Sequence, residues 1–240
     1  MTDAATGPAP DLVLGIDTAT SACAAAVWSV RQGRVLSAIG EPQRRGQAER
    51  LVPLVREALD AAGIGFADLS RIGVTVGPGT FTGLRIGLAA ARGFALAAGV
   101  PLVGVTSFEA AAHAVPAGAR MGHTLLACVE SRRDDLYLQP FGPDLRPLSD
   151  PADVLPADLP VFAAASLPPG PLLLAGDAAD RTLAALVWAD GVAVAEAPAW
   201  AEAAAVARIA GALAAADLAS RPADPFYLRP PDVTLPGPRA

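Results

Sequence analysis

The stretch Val76-Gly77-Pro78-Gly79-Thr80-Phe81-Thr82-Gly83-Leu84-Arg85-Ile86-Gly87 constrains this chain more than any other. An apolar run, Ile72-Gly73-Val74-Thr75-Val76, precedes it and reads as a buried strand. Gly77-Pro78-Gly79 then forces a turn, because proline fixes φ and glycine permits φ > 0. Thr80 or Thr82 is placed to cap a helix running to about Ala98. A strand, glycine turn and helix in that order can hold an anion on the helix N-terminus, or can let another backbone approach closely. Gly83, Gly87 and Ala91 are spaced four apart, so they share one helix face. Glycine inside a helix costs about 1 kcal/mol relative to alanine, so something offsets that cost. Tight packing is the plain candidate, either inside the chain or against a partner.

The elements around this motif follow an ordered pattern. Residues 11–16 read as a strand, 23–30 and 34–39 as a second and third joined by a turn at Gly33. Leu51, Leu54, Val55, Leu59 and Ala62 recur at helical spacing within 47–62, and Pro53 either starts or kinks that helix. After the strand at 72–76 and the helix at 82–98 comes a strand at 101–105. Three meandering strands followed by alternating helices and strands predict a mixed, mostly parallel sheet with helices on both faces. The second half repeats the scheme more weakly. Strands are expected at 124–130 and 134–141, the latter suited to a sheet edge. Residues 142–171 read as loops with short pieces, 172–175 as a strand ending in a Gly-Asp turn, and 199–219 as a long Ala-rich helix. Two halves that each open on a hairpin suggest an internal duplication.

Composition excludes several function classes. Hydrophobic residues make up 52% of the 240 and charged ones 18%, enough for a sizeable core. Net charge is −6, the chain has no basic run, and Arg44-Arg45 and Arg132-Arg133 are isolated pairs. Nucleic-acid binding by the chain alone is therefore disfavoured. Cys23 and Cys128 sit in apolar runs and read as buried free thiols in a reducing cytosol. The first ten residues lack a basic region and an apolar region, so no signal peptide is expected. The apolar stretch at 84–105 is broken by Arg85, Arg92 and Pro101, which argues against a membrane span. His113 and His123 are ten apart across an expected loop, unlike two metal-ligating histidines on one helix face. No Gly-x-Ser-x-Gly elbow and no phosphate-loop lysine occur.

Leu14-Gly15-Ile16-Asp17-Thr18-Ala19-Thr20, the glycine motif, Gly104-Val105-Thr106-Ser107-Phe108-Glu109 and Pro225-Phe226-Tyr227-Leu228-Arg229 together closely resemble the TsaB (YeaZ) family. The likeness spans about residues 12–229. It implies the two-lobe α/β fold of actin, hexokinase and Hsp70-type ATPases, with mixed sheets and a reduced second lobe. The expected N-terminal lobe is 11–108 plus about 222–233, the smaller C-terminal lobe is 109–221, and 1–10 and 234–240 are expected as disordered tails. The resemblance implies a cytoplasmic, non-catalytic protein without cofactor or metal. Such a protein serves in making N6-threonylcarbamoyladenosine at position 37 of tRNAs that read codons beginning with A. It pairs with a metal-bearing paralogue, TsaD, and an ATPase, TsaE, and meets tRNA only through that complex. Where TsaD-like paralogues carry a histidine pair this chain has Gln47-Ala48-Glu49-Arg50-Leu51, and Gln47 stands where many TsaB-like chains keep one histidine. Asp17, in the loop that faces nucleotide phosphates in this fold, reads as a residue bonded to its own turn. The partner face expected from the small-residue pattern comprises Gly83, Gly87 and Ala91 for close approach, Leu51, Leu54, Leu84 and Leu88 for apolar area, and Arg85 at the rim. The same face would form a homodimer when the chain is alone. A metallopeptidase-like or phosphotransferase enzyme of the same fold is the alternative.

Overall fold

A computed structural model describes residues 11–42, 46–131, 133–197 and 201–229, and the side chain of Ala201 is not among them. The expected tails, Arg44-Arg45 and Arg132 lie outside the described residues.

The first half builds β1 (Leu12–Asp17), β2 (Ala22–Ser29), β3 (Arg34–Pro42), α1 (Gln47–Ala62), β4 (Arg71–Gly77), α2 (Phe81–Ala98) and β5 (Leu102–Thr106). The sheet order is β3-β2-β1-β4-β5, with the meander antiparallel and β1-β4-β5 parallel. α1 starts at Gln47 and continues through Pro53, ending on Gly63 in the left-handed conformation (φ 71°). α2 is capped by Thr80, whose Oγ1 accepts from Gly83 N–H at 3.2 Å. The second half adds α3 (Ser107–Ala114), α4 (Ala117–Arg120), β6 (Thr124–Glu130), β7 (Leu136–Phe141), β8 (Ala152–Val154), α5 (Leu159–Ser166), β9 (Leu172–Ala175), α6 (Ala179–Ala185), β10 (Val192–Val194) and α7 (Ala201–Ala212). Its sheet order is β8-β7-β6-β9-β10, again with an antiparallel meander and a parallel side. Strand for strand this repeats the first sheet, so the second half carries the full complement of strands. What is reduced is their length: β8 and β10 have three residues each, where β3 and β5 have nine and five. β7 is an interior strand between β6 and β8, not the edge its alternating pattern suggested. The long helix expected over 199–219 stops at Ala212 and resumes as a 3₁₀ segment, Ala215–Ser220.

Four helices sort onto the faces by where their apolar side chains can be buried. Leu51, Leu54, Val55, Ala58 and Leu59 of α1 and Leu88, Ala91 and Ala95 of α2 form one core with Leu14, Ile16, Ala25, Val27, Ile72 and Val74 of the first sheet. α7 covers the opposite face, where Val206, Ala207, Ile209 and Ala210 meet Val13, Val103 and Val105. α3 packs beside α7 and also onto the second sheet, through Phe108, Ala111, Ala112 and Val115 against Leu125, Ala127 and Val129. The layer between the two sheets is therefore α3 plus α7. α7 falls within the 109–221 range yet lies on the first sheet.

Its seat there is made of glycine. Gly15 of β1 and Gly73 of β4 are register partners. A Cβ on Gly15 would sit 2.2 Å from the Ala203 carbonyl oxygen and 2.6 Å from Ala207 N, and one on Gly73 would sit 2.9 Å from Val206 Cγ1. Backbone cannot give way as a side-chain tip can. Arg71 of the same strand is buried, and its Nη1 donates to the Leu213 carbonyl at 2.9 Å and to the Ala210 carbonyl, satisfying acceptors that the end of α7 leaves over. Gly15→Ala is therefore expected to destabilise the fold by at least about 2 kcal/mol, read as a lower urea midpoint. A midpoint equal to that of the parent chain would show that α7 does not press on β1.

Candidate functional site

β1 delivers Asp17 to the mouth between the sheets, and the loop after it is held in place by the glycine motif. The Asp17 carboxylate is buried, 1% exposed. It accepts hydrogen bonds from Ala19 N–H at 3.0 Å, Thr20 Oγ1 at 2.8 Å and Thr75 Oγ1 at 2.8 Å. Thr18 Oγ1 donates to the Gly83 carbonyl at 2.9 Å, and Thr80 N–H donates to the Ala19 carbonyl at 2.7 Å. The missing side chains make this contact possible. A Cβ on Gly79 would lie 2.2 Å from the Ala19 carbonyl oxygen, one on Gly83 2.1 Å from the Thr18 carbonyl oxygen, and one on Gly87 2.2 Å from Thr18 Oγ1. Of the two jobs open to a glycine turn and helix, this one does the second: it lets the β1–β2 loop lie directly on α2.

That geometry corrects the expected partner face. Leu51, Leu54, Gly83, Leu84, Gly87, Leu88 and Ala91 are all buried within the chain. The small-residue face packs inward because the loop it accommodates belongs to the same molecule. Only Arg85 of that set is exposed, and its guanidinium lies 3.7 Å over the Phe81 ring rather than beside a carboxylate. The outward faces of α1 and α2 carry other residues. Val52 (54% exposed), Phe81 (44%) and Leu96 (86%) are the large apolar ones. Tyr227 stacks near Phe81, ring centroids 5.7 Å apart, so the C-terminal segment joins this surface. Phe226 N–H anchors the segment by donating to the Val76 carbonyl at 2.7 Å.

Two further acids surround Asp17 that sequence reasoning did not single out. Asp177, at the Gly-Asp turn after β9, accepts from Ser21 N–H through Oδ2 and from Glu130 N–H through Oδ1, each at 3.0 Å, and so ties the leading loops of the two halves together. Glu202 stands in the first turn of α7. Burial raises the affinity of all three carboxyl groups for protons. In Asp17 the Thr20 and Thr75 hydroxyls counteract part of that rise; in Asp177 the charge of Asp17 adds to it. Glu202 is pushed up to about 7 by burial first, then by the charges of Asp17 and Asp177. Among the described residues no basic side chain contributes to the shift of any of the three. A polyphosphate at this mouth would face like charge with no described counter-charge beside it. Among the described residues no group of three His, Cys, Asp or Glu side chains is arranged to hold a metal ion.

The remaining candidates scatter. His113 closes α3 and His123 sits in the turn before β6, where Nδ1 is 3.1 Å from the Met121 carbonyl. Gln47 is buried at the start of α1. Burial pushes the Cys23 thiol up to about 11 and the Cys128 thiol up to about 12, so both stay protonated at neutral pH, the opposite of an activated nucleophile. Among the described residues no helix is long and apolar enough to cross a membrane.

Comparison with known proteins agrees with this geometry. Residues 35–152 match the family model described as TsaD, tRNA N6-adenosine threonylcarbamoyltransferase. An uncharacterized protein of Mycobacterium tuberculosis is 35% identical over 223 residues, covering 92% of this chain and 92% of that one. The tRNA threonylcarbamoyladenosine biosynthesis protein TsaB of Escherichia coli is 36% identical over 126 residues, 52% of each chain. The solved structure of YeaZ from Pseudomonas aeruginosa superposes with a TM-score of 0.70 at 24% identity, over 91% of this chain and 100% of that one, which establishes the shared fold.

The acid cluster gives a pH signature with a definite sign. Glu202 titrates near 4.5 when unfolded and about 7 when folded. The folded state thus holds the proton more tightly, and its contribution to stability is lost as pH rises from 4.5 through about 7. Glu202→Gln is expected to raise stability at pH 8 by as much as about 3 kcal/mol and to leave it nearly unchanged at pH 4. Urea unfolding of both chains at the two pH values checks this; an equal shift at both would mean that charge is not the cause.

Proposed function

Because the chain belongs to the TsaB (YeaZ) family, we propose that it serves in the formation of N6-threonylcarbamoyladenosine at position 37 of tRNAs reading codons that begin with A, as a subunit that performs no chemistry itself. It pairs with and activates a larger TsaD-like paralogue, and a TsaE-like ATPase joins the assembly. The observation that carries the non-catalytic reading is the state of Asp17. In a nucleotide-using chain of this architecture that carboxylate faces phosphate or its metal. Here its oxygens are taken by Ala19, Thr20 and Thr75, and α2 lies directly on the loop that bears it. A site whose acid is held by three protein donors, two in its own turn and one on β4, is built to hold shape rather than to bind and turn over a ligand.

The docking surface proposed is the outward side of α1 and α2, with Val52, Phe81, Arg85, Leu96 and the adjoining Tyr227 as its centre. These are among the large side chains that the monomer leaves to solvent on this side of the first sheet. Two such helix pairs, one from each partner, suffice for a standard interface of about 1,600 Å2 in total. The aromatic and arginine content is that of an energetic centre. The same patch used twice gives a two-fold homodimer when the paralogue is absent. The net charge of −6 supports contact with tRNA only through the complex. The cytoplasm, where tRNA is modified, is the compartment this reading requires.

The test combines binding with activity. The chain alone is expected to transfer no threonylcarbamoyl group to tRNA, and to raise transfer by the purified paralogue when added to it. Leu96→Glu and Val52→Glu are expected to fold normally, to weaken paralogue binding at least tenfold and to remove the activation. Gly87→Leu, on the inward face, is expected to lose cooperative unfolding instead. Full-rate modification by this chain alone would overturn the non-catalytic reading; undiminished pairing of both glutamate variants would overturn the surface.

A further inference from the structure

A cavity of about 450 Å3 lies on the other side of the first sheet, between the edge strand β3, its neighbour β2 and the helices α3 and α7. Its size is that of a small-molecule site, roughly 300–1,000 Å3. Trp28, Val35 and Ala38 of the two strands face Val115, His113 and Arg208 across it, and small aliphatic residues complete the lining. It opens beside Val35 and Pro116, both exposed. The chemistry of the lining is apolar save for two side chains, and only one of them is charged. Burial pushes His113 down to about 4, with the charge of Arg208 reinforcing the effect, so its ring is neutral at physiological pH.

Arg208 is the informative residue. It is half-buried, and its Nη2 donates to the His113 carbonyl. Among the described residues it has no other hydrogen-bond acceptor and no carboxylate partner, although a guanidinium carries five N–H donors. The other charged groups near this end of α3 are already engaged. Arg120 donates to the Pro143 and Val115 carbonyls, and Arg221 pairs with Glu109 at 2.6 Å. An acidic protein thus keeps one unneutralised guanidinium at the wall of an aromatic and aliphatic hollow. A desolvated cation of this kind is stabilised by an anion that can form paired hydrogen bonds with it. One positive charge in apolar surroundings suits a monoanion with an apolar body; a phosphate dianion would bring excess charge into the hollow.

We infer that this cavity is a binding site for a small amphipathic carboxylate, its carboxylate on Arg208 and its hydrocarbon body against Trp28, Val35 and Ala38. The site lies on the face of the first sheet opposite α1 and α2 and is independent of the assembly proposed above.

The test is calorimetric titration of the full chain with sodium octanoate and with 1-octanol, its uncharged analogue. One octanoate per chain is expected to bind with a dissociation constant of about 1 mM or lower, and octanol at least tenfold more weakly. Arg208→Met is expected to weaken octanoate at least tenfold while leaving octanol unchanged. Since Arg208 also ties α7 to α3, a second variant removes the dependence on that link: Ala38→Phe, which fills the hollow, is expected to abolish binding of both. The inference is overturned if octanoate shows no saturable binding at about ten times that concentration. It is overturned equally if octanol binds as tightly as octanoate, or if Ala38→Phe, folded, binds octanoate like the parent chain.

Discussion

Close backbone approach through glycine is the constraint on which the rest of the structure depends. It operates twice. On one face of the first sheet, Gly15 and Gly73 make a flat seat for α7, and on the other side of β1 the Gly79, Gly83 and Gly87 series lets α2 accept the β1–β2 loop. The two contacts share β1: α7 presses on Gly15 within the strand, and α2 holds the loop that leaves its C-terminal end. α7 comes from the far end of the chain and touches α3, which rests on the second sheet, so the seat also couples the halves. Each glycine costs conformational entropy in the unfolded chain and helix propensity in α2. The return is van der Waals contact between backbones that any side chain would hold apart.

The same economy explains the character of the mouth between the sheets. Asp17, Asp177 and Glu202 gather there, one from the end of β1, one from the turn after β9 and one from α7. Two of the acids organise loops: Asp17 ties its own turn to Thr75 of β4, and Asp177 links Ser21 to Glu130. The outer side of α1 and α2, together with the tail residue Tyr227, sets the exposed Val52, Phe81 and Leu96 among charged residues such as Arg56, Arg85 and Arg92.

Much of this was legible from residue order. The end of α1, a threonine cap at Thr80 or Thr82, the first five strands and the Gly-Asp turn followed from periodicity and turn chemistry, since those segments are long and strongly patterned. α3 went unread although its signal was present: Thr106 and Glu109 form a reciprocal capping box, with Thr106 Oγ1 accepting from Glu109 N–H at 3.1 Å and the Glu109 carboxylate accepting from Thr106 N–H at 3.0 Å. β8 and β10 left too little pattern, because three residues span barely one alternation. The second half accordingly read as depleted when it was a complete five-strand copy with short strands.

The sequence by itself determined the family, the mixed α/β class and the existence of one helix face without bulk, because each of these is encoded in local spacing. Which way that face points was decided only by the tertiary structure. A small-residue stripe is equally suited to a neighbour in the same chain and to a partner, and the choice rests on a loop 65 residues away, at the Thr18 to Gly83 contact, closing onto it. Likewise the hollow at Arg208 exists because α3, α7 and two strands converge there, an arrangement that no local pattern records.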